Sequence, residues 1–187
     1  IALEDSWEKI VSHNVSDNPY QADGKSIARR SLSHLAMDYL GASIQQREPR
    51  TAWNLYYDLY QRCDNLTDRL FAFSRLLRLD ASFAEQKSVI IQDFHDRFNE
   101  SALVTDKWFS IQAGCTVSGT LPRIIELATH PEFDLHNPNR VRALLVTFAT
   151  VNHREFHRMD GKSYSFLADK ILKLDSLNPQ LAARVCT

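Results

Sequence analysis

The sequence predicts an all-α protein, an armadillo- or HEAT-like superhelical stack of antiparallel helix pairs, and three observations carry that expectation. Apolar residues recur at helical spacing along nearly all of the 187 residues, and no stretch alternates apolar with polar long enough to demand a strand. Two stretches, Asn137-Pro138-Asn139-Arg140-Val141-Arg142 and Asn178-Pro179-Gln180-Leu181-Ala182-Ala183-Arg184, open on the same helix-start signal 41 residues apart, close to the period of HEAT or armadillo helix pairs. In each, Asn is a good N-cap and Pro tolerates the first helical position, where its missing N–H would be unpaired anyway. Finally, hairpins recur at about 35–45 residues, so each pair can bury its stripe only against its neighbours; this favours a stack over a globular bundle.

The elements follow in order. Residues 3–13 put Trp7, Ile10 and Val11 on one side. After a polar loop containing Asn18-Pro19, residues 25–41 place Ala28, Leu32, Leu35, Ala36 and Tyr39 on one stripe, with Gly41 as the stop. Residues 51–62 show Trp53, Tyr56, Tyr57 and Tyr60 at core spacing, a set that reads as packing rather than a ligand box. Asp64-Asn65-Leu66-Thr67-Asp68 offers an Asn cap with an acid three residues on, launching Leu66, Leu70, Phe73, Leu76 and Leu77. Residues 82–98 carry Phe83, Ile90, Phe94 and Phe98; 102–114 carry Leu103, Val104, Trp108 and Ile111; 119–130 carry Leu121, Ile124, Ile125 and Ala128 before Pro131. The last helices span 138–151, roughly 154–159 with 162–174, and 179 onward. Loops of about two to eight residues join them.

Composition narrows the function. Twenty-two basic residues nearly balance 23 acidic ones, and a net charge of −1 gives no electrostatic footprint for nucleic acid or an anionic membrane. No apolar run approaches the length of a membrane span. Cys63, Cys115 and Cys186 are odd in number, widely spaced and without metal spacing, which points to a reducing compartment. Asn14-Val15-Ser16, Asn65-Leu66-Thr67 and Asn99-Glu100-Ser101 match a glycosylation pattern that arises often by chance. The start at Ile1 and the stop at Thr187, just after a helix has begun, suggest a piece of a longer protein.

Little in the chain suggests chemistry of its own. His153 and His157, four apart, share a helix face, but His153-Arg154-Glu155-Phe156-His157 is not the H-E-x-x-H motif, and position 176, the third-ligand spacing of zinc aminopeptidases, holds Ser176. There is no G-x-S-x-G elbow and no phosphate-binding glycine loop, and Cys115 sits at what reads as a helix end. Asp106-Lys107-Trp108-Phe109 reads as a surface ion pair beside buried rings. The remaining polar candidates are arginines. Gln180 and Arg184 are four apart and stack on one helix face; Arg142 flanks the Val141, Leu144, Leu145, Phe148 stripe one repeat earlier. By spacing alone these read as solvated surface side chains.

Several segments occur here in one order: Ser26-Ile27-Ala28-Arg29-Arg30-Ser31-Leu32, Asp64-Asn65-Leu66-Thr67-Asp68, Leu103-Val104-Thr105-Asp106-Lys107-Trp108-Phe109, the Asn137 segment, Phe156-His157, Asp160-Gly161, Tyr164, Phe166-Leu167 and Asn178-Pro179-Gln180. Together, from about residue 25 onward, they resemble the C-terminal helical domain of bacterial aminopeptidase N, a zinc exopeptidase family. The resemblance implies a single domain over 1–187, with a catalytic domain upstream that holds the zinc; the family's G-x-M-E-N and H-E-x-x-H-x18-E motifs are not in this chain. It further implies a cytoplasmic enzyme that removes N-terminal residues from peptides, and a helical bowl that closes over the active site and gates access. Arg142, Gln180 and Arg184 match positions that face the family's internal chamber and contact the downstream end of bound peptide. Partners would be the catalytic domain of the same polypeptide and peptide substrates, with no nucleic acid and no membrane. The alternative is a free-standing helical-repeat adaptor that binds a peptide or protein without catalysis.

Overall fold

The computed structural model describes residues 3–14 and 19–186. Val15 and Ser16 of the first glycosylation pattern, and Asn18 of the polar loop, lie outside the described residues. Helices dominate the described residues, with no strand among them. The chain divides into two compact units, residues 1–87 and 88–187.

The first unit is built on helix pairs. α1 (Glu4–Asn14) lies on α2 (Gly24–Ile44), and α3 (Pro49–Arg62) returns as α4 (Leu66–Arg78) after three residues. Sequence-level caps are where they were expected. The Asn65 side chain accepts from the Asp68 N–H, while the Asp68 carboxylate takes the Asn65 amide and His34 instead of closing a full capping box. Trp53, Tyr56 and Tyr60 are buried with Phe73, Leu76 and Leu77, whereas Tyr57 faces solvent. A 3-10 turn (Ala81–Phe83) brings Phe83 onto the Trp53 ring at 4.8 Å.

α2 departs from the reading of its sequence. It runs through Gly41 to Ile44, and it buries Ser33, Ala36, Met37, Leu40, Gly41 and Ile44. Of the predicted stripe only Ala36 is buried; Leu32, Leu35 and Tyr39 remain about half exposed, partly covered by α1, whose Trp7 stacks on Tyr39 at 4.9 Å. The cause is close approach. The Tyr56 hydroxyl donates to the Met37 carbonyl at 3.1 Å, and a Cβ at position 41 would lie 1.9 Å from that hydroxyl oxygen. Glycine is required there by contact, not as a helix stop. Burial pushes the Tyr56 phenol up to about 12.

The second unit takes α5 (Ala84–Phe98) from Ser88 onward. It continues with α6 (Ala102–Ala113), α7 (Thr120–Leu127), then α8 (Pro138–Val141), a π-helical turn (Arg142–Val146) and α9 (Thr147–Val151) as one continuous helical run. α10 (His153–Phe156), α11 (Lys162–Asp175) and α12 (Pro179–Val185) complete it. The run 138–151 packs on α6 and sinks Val141, Leu144, Leu145 and Phe148 completely, as its spacing predicted. Residues 128–137 form a ten-residue connection, longer than the two to eight expected, because α7 stops at Leu127 and a series of turns follows instead of a last helical turn.

Candidate functional site

The polar candidates sit on helices whose starts are fixed by the two Asn-Pro pairs. The Asn137 side chain accepts from the N–H groups of Asn139 and Arg140, and Asn178 accepts from Leu181 N–H, with proline in the first turn each time. The first cap leads directly into the π turn. There the Thr147 N–H and hydroxyl both turn to the Arg142 carbonyl, one residue further back than α-helical pairing allows. Nothing in the sequence announces this widening.

Arg142 itself is exposed, its guanidinium 3.3 Å from the Asn139 amide oxygen. Gln180 and Arg184 are exposed on α12, a single helical turn apart on one side of that helix. The structure therefore presents all three predicted residues to solvent, from two helices that start alike. α9, Phe156, α11 and the end of α12 line an open hollow of about 410 Å3.

The arginine that the protein buries is a different one. Arg140 is only 7% exposed, lies 4.9 Å over the Phe109 ring, and places Nη1 3.1 Å from Asp106 Oδ1. Asp106 is thus not half of a surface pair, as its neighbourhood in sequence suggested, but the partner of a buried guanidinium 34 positions away. The two meet as charges without a well-aligned hydrogen bond. Such a contact is held by the fold around it, and breaking it strands a charge.

Two further buried polar groups were not foreseen. Asn152, fully buried, donates to the carbonyls of Ala113 and Cys115 and accepts from Glu155 N–H, so it closes the end of α6 and starts α10 with one side chain. Gln112 donates to the Trp108 carbonyl and accepts from Arg123 Nε at 2.9 Å. An Asn just after an apolar run, with Glu155 three residues on, is the one signal that could have exposed the cap made by the first; the second pairs across elements and leaves none.

No reactive centre is assembled among the described residues. His153 and His157 are exposed with rings stacked 5.8 Å apart, and Nδ1 of His157 bonds the Tyr164 hydroxyl at 2.6 Å. Glu155 is buried and turned to Arg158 at 3.3 Å, off any shared face with the two rings. The described residues hold no group of three His, Cys, Asp or Glu side chains placed for one metal ion, so they do not fit a zinc site. Burial pushes the half-buried Cys63 thiol up, away from thiolate chemistry. No helix of the described residues is long and apolar enough to cross a membrane.

Short capped helices in tandem, with arginines exposed beyond buried stripes, define a helical-repeat domain of the armadillo class. The chain belongs to the family described as a domain of unknown function (DUF3458_C) with ARM repeats, whose model matches residues 1–187. Its relatives include the aminopeptidase N of Haemophilus influenzae, 33% identical over 98% of this chain, and that of Escherichia coli, 31% identical over 99%. The Caulobacter vibrioides aminopeptidase N is 35% identical, again over 99%. Among solved structures, Legionella pneumophila aminopeptidase A in complex with aspartic acid matches with a TM-score of 0.85 at 27% identity, covering 98% of this chain and 22% of that one. The resemblance to the C-terminal helical domain of bacterial aminopeptidase N, inferred from scattered motifs, extends over nearly all of the sequence. The chain spans about a fifth of the length of the curated relatives it matches.

Proposed function

We propose that this chain is the C-terminal helical domain of a cytoplasmic, zinc-dependent aminopeptidase N, which removes N-terminal residues from peptides. In this reading the zinc and the reacting groups belong to a catalytic domain elsewhere in the polypeptide, and this domain covers the active site and limits what enters. The observation that carries the reading is similarity to three aminopeptidases N across almost the whole chain. Three widely spaced cysteines support a reducing compartment.

A covering domain matters without performing chemistry. Enclosure limits substrate size and excludes bulk water, and contacts to the far end of a peptide position the near end. Arg142, Gln180 and Arg184 supply those contacts: guanidinium groups take a carboxylate through charge-assisted hydrogen bonds, and Gln180 adds an amide beside Arg184. Each such bond contributes about 1–3 kcal/mol.

The test is Arg184→Ala in the complete polypeptide. KM for short peptides should rise roughly tenfold, equivalent to about 1.4 kcal/mol, while single-residue chromogenic substrates are hydrolysed almost as before. Equal losses for both substrate types would reject the contact. A reading frame that lacks a zinc-peptidase motif upstream would leave the adaptor reading in its place.

A further inference from the structure

We infer that His130 fastens the ten-residue connection between α7 and α8 only while its ring is neutral, so that protonation releases the turn at Glu132. The inference is independent of the proposed function.

The geometry sets the ring's state. Nδ1 of His130 accepts the Glu132 backbone N–H at 3.2 Å, which requires that nitrogen to be unprotonated and leaves the single ring proton on Nε2. A second proton would turn Nδ1 into a donor facing a donor, and the bond could not survive. The Glu132 side chain is tied separately: its carboxylate meets Nε2 of His95, on α5, at 3.0 Å. One residue of the connection is therefore held by two histidines, by its backbone and by its side chain.

The surroundings disfavour a charge on the His130 ring. His130 packs against the rings of Trp108 at 5.3 Å and Phe109 at 5.8 Å on α6, and against His95 at 5.5 Å. Both aromatic rings already carry a guanidinium: Arg123 of α7 over Trp108 and Arg140 of α8 over Phe109, the latter paired with Asp106. Burial is the largest influence and holds His130 below the ordinary histidine range; Glu132 opposes it, while His95, Arg123 and Arg140 add to it. His95 in turn faces Glu132 at 3.0 Å and Asp96 at 3.8 Å. A base held below its usual range is protonated first in the unfolded chain. Stability is therefore full above the ordinary histidine range and falls as pH drops through it toward the folded value. The connection ends on the Asn137 cap, so its release loosens the start of the run carrying Arg140 and Arg142.

Hydrogen exchange by mass spectrometry on the complete polypeptide, from pH 8 to 5 and corrected for intrinsic rates, tests this. The segment 128–137 should lose protection about tenfold as the His130 ring titrates, with both midpoints below the ordinary histidine range; ring titration is read from exchange at the carbon between the two nitrogens. His130→Asn keeps an acceptor two residues before Glu132 and cannot titrate, so the pH step should vanish with protection retained. His95→Gln should move the step to higher pH. Protection that stays flat while His130 titrates, or a step that persists in His130→Asn, would overturn the inference. Should His130→Asn fail to fold, coincidence or separation of the two wild-type midpoints decides it alone.

Discussion

α2 and the helical run 138–151 both carry apolar residues at helical spacing, yet one hides the stripe its sequence advertises and the other leaves it half in water. In the run 138–151, Val141, Leu144, Leu145 and Phe148 form the one apolar face, and all four are fully buried. α2 has two apolar faces. One face, Leu32, Leu35 and Tyr39, stays about half exposed despite α1, while the other, with Met37, Leu40 and Ile44 alongside the small Ser33, Ala36 and Gly41, goes into the core. The difference teaches that small residues set among larger ones can mark the deeper side. They let a neighbouring helix approach until backbone atoms take part, as the Tyr56 hydroxyl does at the Met37 carbonyl.

That contrast can be broken by substitution. The largest effect should come from Leu144→Ala, which empties a site with no exposure and should cost about 2–5 kcal/mol in chemical unfolding. Leu35→Ala on α2, at 49% exposure, should cost less than about 1 kcal/mol. Equal costs would mean that α1 seals the α2 stripe more fully in solution than in this structure.

The same contrast operates between arginines two residues apart. Arg140→Ala leaves Asp106 uncompensated and should lower stability by about 3 kcal/mol, whereas Arg142→Ala should stay within about 0.5 kcal/mol. A neutral Arg140→Ala would show that the buried pair contributes nothing net.

Gly41→Ala should cost about 1–3 kcal/mol, because Tyr56 must yield to a new methyl group. Stabilisation, the usual result of removing a mid-helix glycine, would place the Tyr56 ring elsewhere.

How much the sequence disclosed follows the range of each interaction. Caps were legible because Asn65, Asn137 and Asn178 act on N–H groups two or three residues away. Single-faced helices were legible because their period is local. The partner of Arg140, the role of Asn152 and the meeting of His95, His130 and Glu132 were not, since each depends on residues from other elements. The π turn escaped for another reason: its residues, Arg142-Ala143-Leu144-Leu145-Val146, are ordinary helix formers, and the extra residue per turn is absorbed by Thr147. Of the candidate site, the exposed positions could be read but not a purpose for them, because spacing does not distinguish a solvated arginine from one that awaits a ligand.

The most direct measurement compares a tripeptide with its C-terminal amide, using the complete polypeptide and its Arg142→Ala, Arg184→Ala double variant. If these side chains hold the downstream carboxylate, the double variant should lose roughly tenfold or more in kcat/KM on the free acid, about 1.4 kcal/mol, and almost nothing on the amide. Equal loss on both, or none on either, would contradict the account.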